Sequence, residues 1–337
     1  MHLVNTAIKL VTGSLLNCSN EFAAIPPAKD FLTHLTPAFV LAIIIGSILC
    51  LMTLIIGITH ALYISIYVTH PYRRAFVSYL AGTAPFVSAF ALVSLFMPRV
   101  WFLAHLMSFF YFSIGLYFVI CLLMNLVEGR HTIVKKMGSK SSRLSVATPP
   151  FCCVFPCLPT LEIETRKIQF CEIMVMQTPI VRLFATLVSL ILFFEYQDGA
   201  ILALKILDTI CVPSLLAGIY GCHILVTTIS KLDELVPFRY IVVFRLLDIF
   251  LMFFGMQQPI FDFLARAGVF GCGTILPPLE TAFFWKNFLV IVESFIVSLI
   301  STALLKPSRS ALFDKYPASS ASSAASVTSM STQESTA

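Results

Sequence analysis

Residues 38–68 read AFVLAIIIGSILCLMTLIIGITHALYISIYV, without a single Asp, Glu, Lys or Arg. About 20 such residues in a helix cross the hydrocarbon layer of a bilayer. This stretch therefore spans a membrane with length to spare, to be taken up by tilt or by projection past the lipid. Working outward, six more apolar runs of spanning length follow at 75–97, 100–127, 168–194, 201–229, 240–261 and 281–305. The second is short and carries Pro85, which a membrane helix tolerates where neighbours re-satisfy the freed backbone. The fold class is all-α and polytopic, with seven transmembrane helices.

Composition requires the same solvent. Of 337 residues, 58% are hydrophobic and only 12% charged, about half the charged share of a soluble domain. Too little polar surface remains to cover such a core in water. The net charge of +5 forms no basic stripe with interleaved aromatics, so nothing points to nucleic acid.

Lys and Arg are unevenly placed around the spans. Arg73 and Arg74 follow span one. Arg130, Lys135, Lys136, Lys140, Arg143, Arg166 and Lys167 lie between spans three and four. Lys231 and Arg239 follow span five, and Lys306, Arg309 and Lys315 follow span seven. With seven spans all of these fall on one side, against Lys9, Lys29, Arg99 and Arg266 on the other. The positive-inside rule then puts the amino terminus outside and the carboxyl terminus in the cytoplasm. Three regions result: an extracellular segment 1–37, a transmembrane domain 38–305 with a cytoplasmic loop 128–167, and a cytoplasmic tail 306–337. The tail is rich in Ser, Ala and Thr from Ala318 and is read as disordered. The sequon Asn17-Cys18-Ser19 lies on the outer side, where glycosylation takes place. The first 16 residues make a poor signal peptide, leaving span one as the insertion signal.

Among ten cysteines, Cys50, Cys121, Cys171, Cys211 and Cys222 sit inside apolar runs as small hydrophobes. Cys18 and Cys272 are the one pair able to meet outside the membrane. The loop motif Phe151-Cys-Cys-Val-Phe-Pro-Cys-Leu-Pro159 offers Cys152, Cys153 and Cys157 for acylation, metal or packing. A reducing face disfavours disulfides, three thiols fall short of a structural zinc set, and apolar neighbours beside a membrane suit S-acylation. No metal and no cofactor is expected.

Charged and strongly polar residues within spans are costly and mark function. Span four carries Glu172, Gln177 and Arg182, span five Lys205 and Asp208, span six Arg245, Asp248, Gln257 and Gln258, and span seven Lys286 and Glu293. Lys205/Asp208 and Arg245/Asp248 are three apart and can neutralise one another on one helix face. Lys205 and Lys286, near span ends, are expected to reach towards the headgroups. Arg182 and Glu293 have no such local partner, so they require an interhelical one or a polar cavity. His60, His105 and His223 read as packed or capped rather than as ligands. No zinc-protease, nucleophile-elbow, P-loop or dinucleotide motif occurs, so no enzyme is indicated.

The cysteine cluster with its Pro156-Cys-Leu-Pro159 ending resembles the cytoplasmic cluster of the organic solute transporter alpha subunits. Gly115-Leu-Tyr117 followed by Leu122 to Glu128-Gly129 is similar to that family's Tyr…Glu-Gly segment. Gln177…Arg182, and Pro237-Phe238 ahead of span six with Gln257, fall in the family's order. The likeness covers roughly residues 35–305, with a thinner cysteine run than in vertebrate members. It implies facilitative transport of amphipathic organic anions, such as steroid conjugates, bile-acid-like molecules or lipid solutes, together with a single-span beta-type partner. Arg182 or Arg245 would meet the anionic head, with Gln177, Asp248, Glu293 and Gln257 along the path. The implied home is the plasma membrane, with endosomal membranes and homo-oligomers left open. Two other readings share the topology. One is a membrane-organising or trafficking protein acting on lipid. The other is a seven-span receptor, although span three ends in Leu126-Val-Glu-Gly129 rather than an Asp-Arg-Tyr-like signal.

Overall fold

The computed structural model describes residues 25–140, 161–196, 201–230, 235–271 and 275–316, with 143, 144, 146 and 148 besides. Among these residues, seven helices are long and apolar enough to cross a membrane: Pro37–Tyr67, Pro71–Phe96, Pro98–Leu126, Thr165–Tyr196, Ile206–Ile229, Tyr240–Arg266 and Pro278–Leu304. They are spans one to seven below. Short helices at Ala28–Thr33 and Arg130–Lys140 and a two-residue antiparallel strand pair, Arg143–Leu144 with Leu161–Glu162, flank them. The sequon at Asn17, Cys18, the cysteines 152, 153 and 157, Cys272 and the tail from residue 317 lie outside the described residues.

Local chemistry places the helix ends. Spans one and seven open with proline in the first turn, at Pro37 and Pro278, as does span two at Pro71. The missing N–H costs nothing there and the fixed φ suits a helix start. Pro71 also begins span two earlier than the hydropathy of 75–97 suggests, drawing Arg73 and Arg74 into its first turn. Span two is two helices, Pro71–Ala81 and Thr83–Phe96, broken at Gly82. Pro85 has no N–H to give the carbonyl of Ala81 four residues back, so the helical ladder fails there. Span three ends on Glu128 and Gly129, both left-handed at φ 62° and 99°, with the Gly129 N–H returning to Met124 O at 3.0 Å. This is a helix-terminating turn in which glycine is cheap.

Span three is the axis of the bundle. Phe112, Leu116, Val119, Leu122 and Leu123 are wholly buried, and the helix packs against spans two, four, five, six and seven. Span one lies at the periphery. Its Leu41, Ile44, Ile48, Leu51, Ile55, Ile58, Leu62 and Ile66 are each more than half exposed, at the three-and-four spacing of one helix face. An apolar face of that length has no counterpart on a water-soluble protein; lipid covers it. Spans four and five lie close at Gly218, where an added Cβ would collide with the Thr178 side chain, a small-residue crossing of the kind membrane helices use.

Candidate functional site

Two features occupy opposite halves of the bundle. In the half towards Leu304, spans one, two, six and seven stand apart around a cavity of about 360 Å³. Its wall is mostly Ile, Leu, Val and Phe, among them Ile56, Leu80, Leu247, Phe250 and Val297, with Lys306 the one formally charged side chain among the lining residues. The break in span two shapes this wall, since Ala81, Thr83 and Ala84 all line it. The Thr83 hydroxyl is buried and has no hydrogen-bond partner among the described residues. His60 Nε2 meets Thr302 Oγ1 at 2.9 Å, tying span one to span seven beside the cavity.

Residues 306–316 close the end of this cavity, with Leu312 and Phe313 on its lining. The segment is fastened at several points. Ala311 N–H donates to Pro237 O at 3.0 Å, Ser310 Oγ to Phe238 O at 3.1 Å and Lys315 N–H to Tyr67 O at 3.1 Å. Tyr316 packs edge-on against Tyr67. The Thr69 hydroxyl donates to Asp314, and Arg73 lies 4.0 Å from the same carboxylate. Burial alone would lift the Asp314 carboxyl. The Thr69 hydroxyl and backbone N–H groups, aided by Arg73, outweigh it and hold the group below the usual carboxylate range.

In the half towards Pro37, a buried polar chain crosses five spans. Arg182 Nη1 on span four donates to Asp208 Oδ1 on span five at 2.9 Å. His105 Nε2 on span three lies 3.6 Å from Asp208 Oδ2. The other ring nitrogen of His105 is 3.3 Å from Lys286 Nζ on span seven, which donates at 2.5 Å to Gln258 on span six. Aromatic faces cover the cations: Arg182 sits 4.5 Å from the Phe109 ring centre and Lys286 5.1 Å from that of Phe254. Lys286 is 1% exposed, so the expectation that it reaches the headgroups fails. Gln258, His105 and the Phe254 face satisfy the ammonium inside instead.

The residues singled out from sequence fall into separate interhelical contacts. Gln177 donates to Ser214 O at 2.9 Å and accepts from the Ser214 hydroxyl at 2.7 Å, one turn from the Arg182–Asp208 pair. Asp208 turns to Arg182 and His105; the side chain of Lys205 lies outside the described residues. Asp248 receives Arg245 at 3.8 Å, as its spacing suggests, and buried His223 of span five more closely at 3.2 Å. Gln257 donates to Glu293, joining spans six and seven. At the loop side, Arg130 binds Glu172, and that bond raises the guanidinium above its ordinary value. None of Gln177, Arg182, Arg245, Asp248, Gln257 and Glu293 lines the 360 Å³ cavity. Sequence reasoning missed His60, Thr83 and Lys306 as wall residues. Only the Pro85 break pointed towards Thr83.

Seven apolar helices of spanning length, packed around span three, define a polytopic α-helical membrane protein. Residues 42–309 match the family described as organic solute transporter Ostalpha, and the chain belongs to that family. It is 54% identical over 333 residues to organic solute transporter alpha-like protein 2 of Caenorhabditis elegans, covering 98% of this chain and 97% of that one. Organic solute transporter alpha-like protein 3 of the same organism is 30% identical over 302 residues, 89% of this chain and 86% of the relative. The organic solute transporter subunit alpha of Danio rerio is 21% identical over 243 residues, 70% and 72% of the two chains. No solved structure matches the chain.

Proposed function

We propose that the protein is the larger subunit of a facilitative transporter for amphipathic organic anions, and that the 360 Å³ cavity receives the solute. The cavity carries this reading. Its volume lies in the range of small-molecule sites, roughly 300–1,000 Å³. Its apolar wall suits a rigid hydrocarbon body, since burial of apolar surface is favourable by about 25 cal/mol per Å². Lys306 offers a cation at one end, and an ammonium suits a carboxylate or sulfate head. The unpartnered Thr83 hydroxyl offers a hydrogen bond on the wall. Arg182, Gln177, Asp248, Gln257 and Glu293 then set the spacing of the spans rather than touch the solute.

A single-span beta-type partner fits the family, where vertebrate relatives are named as a subunit alpha. The broad exposed face of span one suits helix packing within the bilayer. The charge asymmetry of the loops supports an amino terminus outside and a carboxyl terminus in the cytoplasm. That orientation puts the cavity and Lys306 in the cytoplasmic half. It also suits a glycan on Asn17, acyl chains on Cys152, Cys153 and Cys157, and residence at the plasma membrane.

The test is uptake of a radiolabelled steroid sulfate by cells expressing the chain, with and without a co-expressed single-span partner. Flux that requires both chains supports the reading. Surface-expressed protein that moves no anionic amphipath under either condition overturns it in favour of a lipid-organising role.

A further inference from the structure

The 360 Å³ cavity has one wall that is also outer surface. Ile55 and Tyr63 of span one line it, yet they are 55% and 41% exposed. Thr59 of span one and Thr302 of span seven also line it and are exposed. Successive residues of a helix are turned by about 100°. On span one, Gly57 faces span two, where an added Cβ would meet Pro85, and His60 faces span seven through Thr302. Turning further in the same sense brings Tyr63 and then Thr59, so both border the seam between spans one and seven.

The other directions are closed. Towards Pro37 the same two spans converge: an added Cβ on Gly46 would meet Leu95 at 3.4 Å and Ile291 at 3.5 Å, and both of those residues are wholly buried. At the opposite end, residues 306–316 are fastened across the mouth, with Leu312 and Phe313 on the lining. The exposed seam between is bridged by a hydrogen bond. The Thr302 hydroxyl donates to Ser298 O at 2.8 Å, so its oxygen accepts from His60 Nε2–H at 2.9 Å.

The cavity also repeats the polarity of the leaflet beside it. Its deepest lining residue on span one, Ile55, is twelve residues from the end of that span at Tyr67, about 18 Å along a helix. On span seven, Val297 is nine residues from Lys306, about 14 Å. One leaflet holds about 15 Å of hydrocarbon. Lys306 follows the end of span seven at Leu304, at headgroup depth, and the deeper wall is mostly apolar. An amphipathic anion dissolved in that leaflet already holds its head and body at these two depths. Moving sideways, it keeps both environments. Its body gains little by leaving acyl chains for an apolar wall, so Lys306 and Thr83 are left to select it.

On the reading that the cavity receives the solute, we propose that the seam between spans one and seven is a lateral portal. Through it an anionic amphiphile passes between the cavity and the leaflet on the Leu304 side, and the His60–Thr302 hydrogen bond is its latch.

The experiment follows the association and dissociation rates of a radiolabelled steroid sulfate on the full-length protein in lipid nanodiscs. Thr302→Val removes the latch and keeps the side-chain shape. Both rates should rise about fivefold, the size of one lost hydrogen bond, with the dissociation constant unchanged. His60→Ala should act alike, and the double variant should be no faster than either. Asp314→Asn, which loosens the segment across the mouth, should leave both rates as they are. Unchanged rates in Thr302→Val, or faster exchange in Asp314→Asn, would put the route elsewhere and overturn the portal. Faster dissociation alone in Thr302→Val would make the pair a contact of the bound solute, and would overturn it too. Ser298→Phe, which fills the cavity, tests the underlying reading separately: it should bind no steroid sulfate, and binding as in the unaltered protein would remove the cavity as the solute site.

Discussion

The two halves of this bundle follow opposite rules. Towards Pro37, ionised and amide side chains from five spans bond to one another, and aromatic pairs such as Trp101 on Phe283 and Phe39 on Phe284 pack in the same half. Towards Leu304, the side chains facing inward between spans one, two, six and seven are mostly apolar, and they leave a cavity. Intramembrane charges commonly mark a solute path. Here the described ones bond between helices, and the 360 Å³ cavity lies where the sequence is blandest. In lipid this is physically sensible, because apolar side chains gain no hydrophobic advantage from touching each other rather than acyl chains. Specific polar bonds and close packing must hold helices together.

The contrast can be broken most severely at the ties. Arg182→Ala leaves Asp208 without its guanidinium. Losing one partner of a buried pair costs about 3–5 kcal/mol, and Asp208, with 37% of its side chain exposed, should bring the loss to the low end of that range. A thermal or denaturant unfolding series would show it. The double variant Arg182→Ala/Asp208→Ala should recover part of the loss, which no contact-counting account expects.

At the cavity the expected stability changes are smaller and of opposite sign. Thr83→Val keeps the side-chain shape and removes a buried hydroxyl without a partner. Its removal should stabilise the solute-free protein by about 1 kcal/mol, read as a higher unfolding midpoint. Uptake should fall severalfold if the solute bonds to that hydroxyl.

The smallest expected effect lies in the closing segment. Asp314→Asn weakens the link to Thr69 and Arg73 and should speed hydrogen exchange at the Lys315 amide, which bonds to Tyr67 O. The pH dependence follows from the lowered carboxyl. A group depressed in the folded state contributes stability above its unfolded value, about 3.9 for Asp, and loses it as pH falls through the folded value. Exchange at Lys315 attributable to this link should therefore be unchanged between about pH 5 and pH 8, and should rise only in stronger acid.

Much of this architecture was legible in the sequence. Span positions followed from length and hydropathy, and the lack of charges three or four residues from Arg182 and Glu293 called for an interhelical partner or a polar cavity; both have a partner on another helix. The partners were not legible. The Lys205 side chain that spacing offers to Asp208 lies outside the described residues; the carboxylate's bonds to Arg182 and His105 were hidden, because a lone His in an apolar run carries no sign of such a role. Lys286 looked close enough to a span end to reach water, but Gln258 and Phe254 hold it inside. The cavity was invisible for a different reason. It arises from missing volume between apolar residues far apart in the chain, opened by a break at Gly82 that Pro85 causes. Lys306 counted there only as one of the basic residues that orient the spans.

The central claim is that the solute occupies the cavity of the Leu304 half, and anion uptake by cavity variants tests it most directly. Ser298→Phe fills the cavity from span seven, and Lys306→Gln removes its cation. With surface expression matched and the partner co-expressed, uptake of a steroid sulfate should be abolished in the first and fall about tenfold or more in the second, since a charge-assisted hydrogen bond contributes about 1.5–3 kcal/mol. Uptake at the unaltered rate in both would place the solute elsewhere and contradict the account.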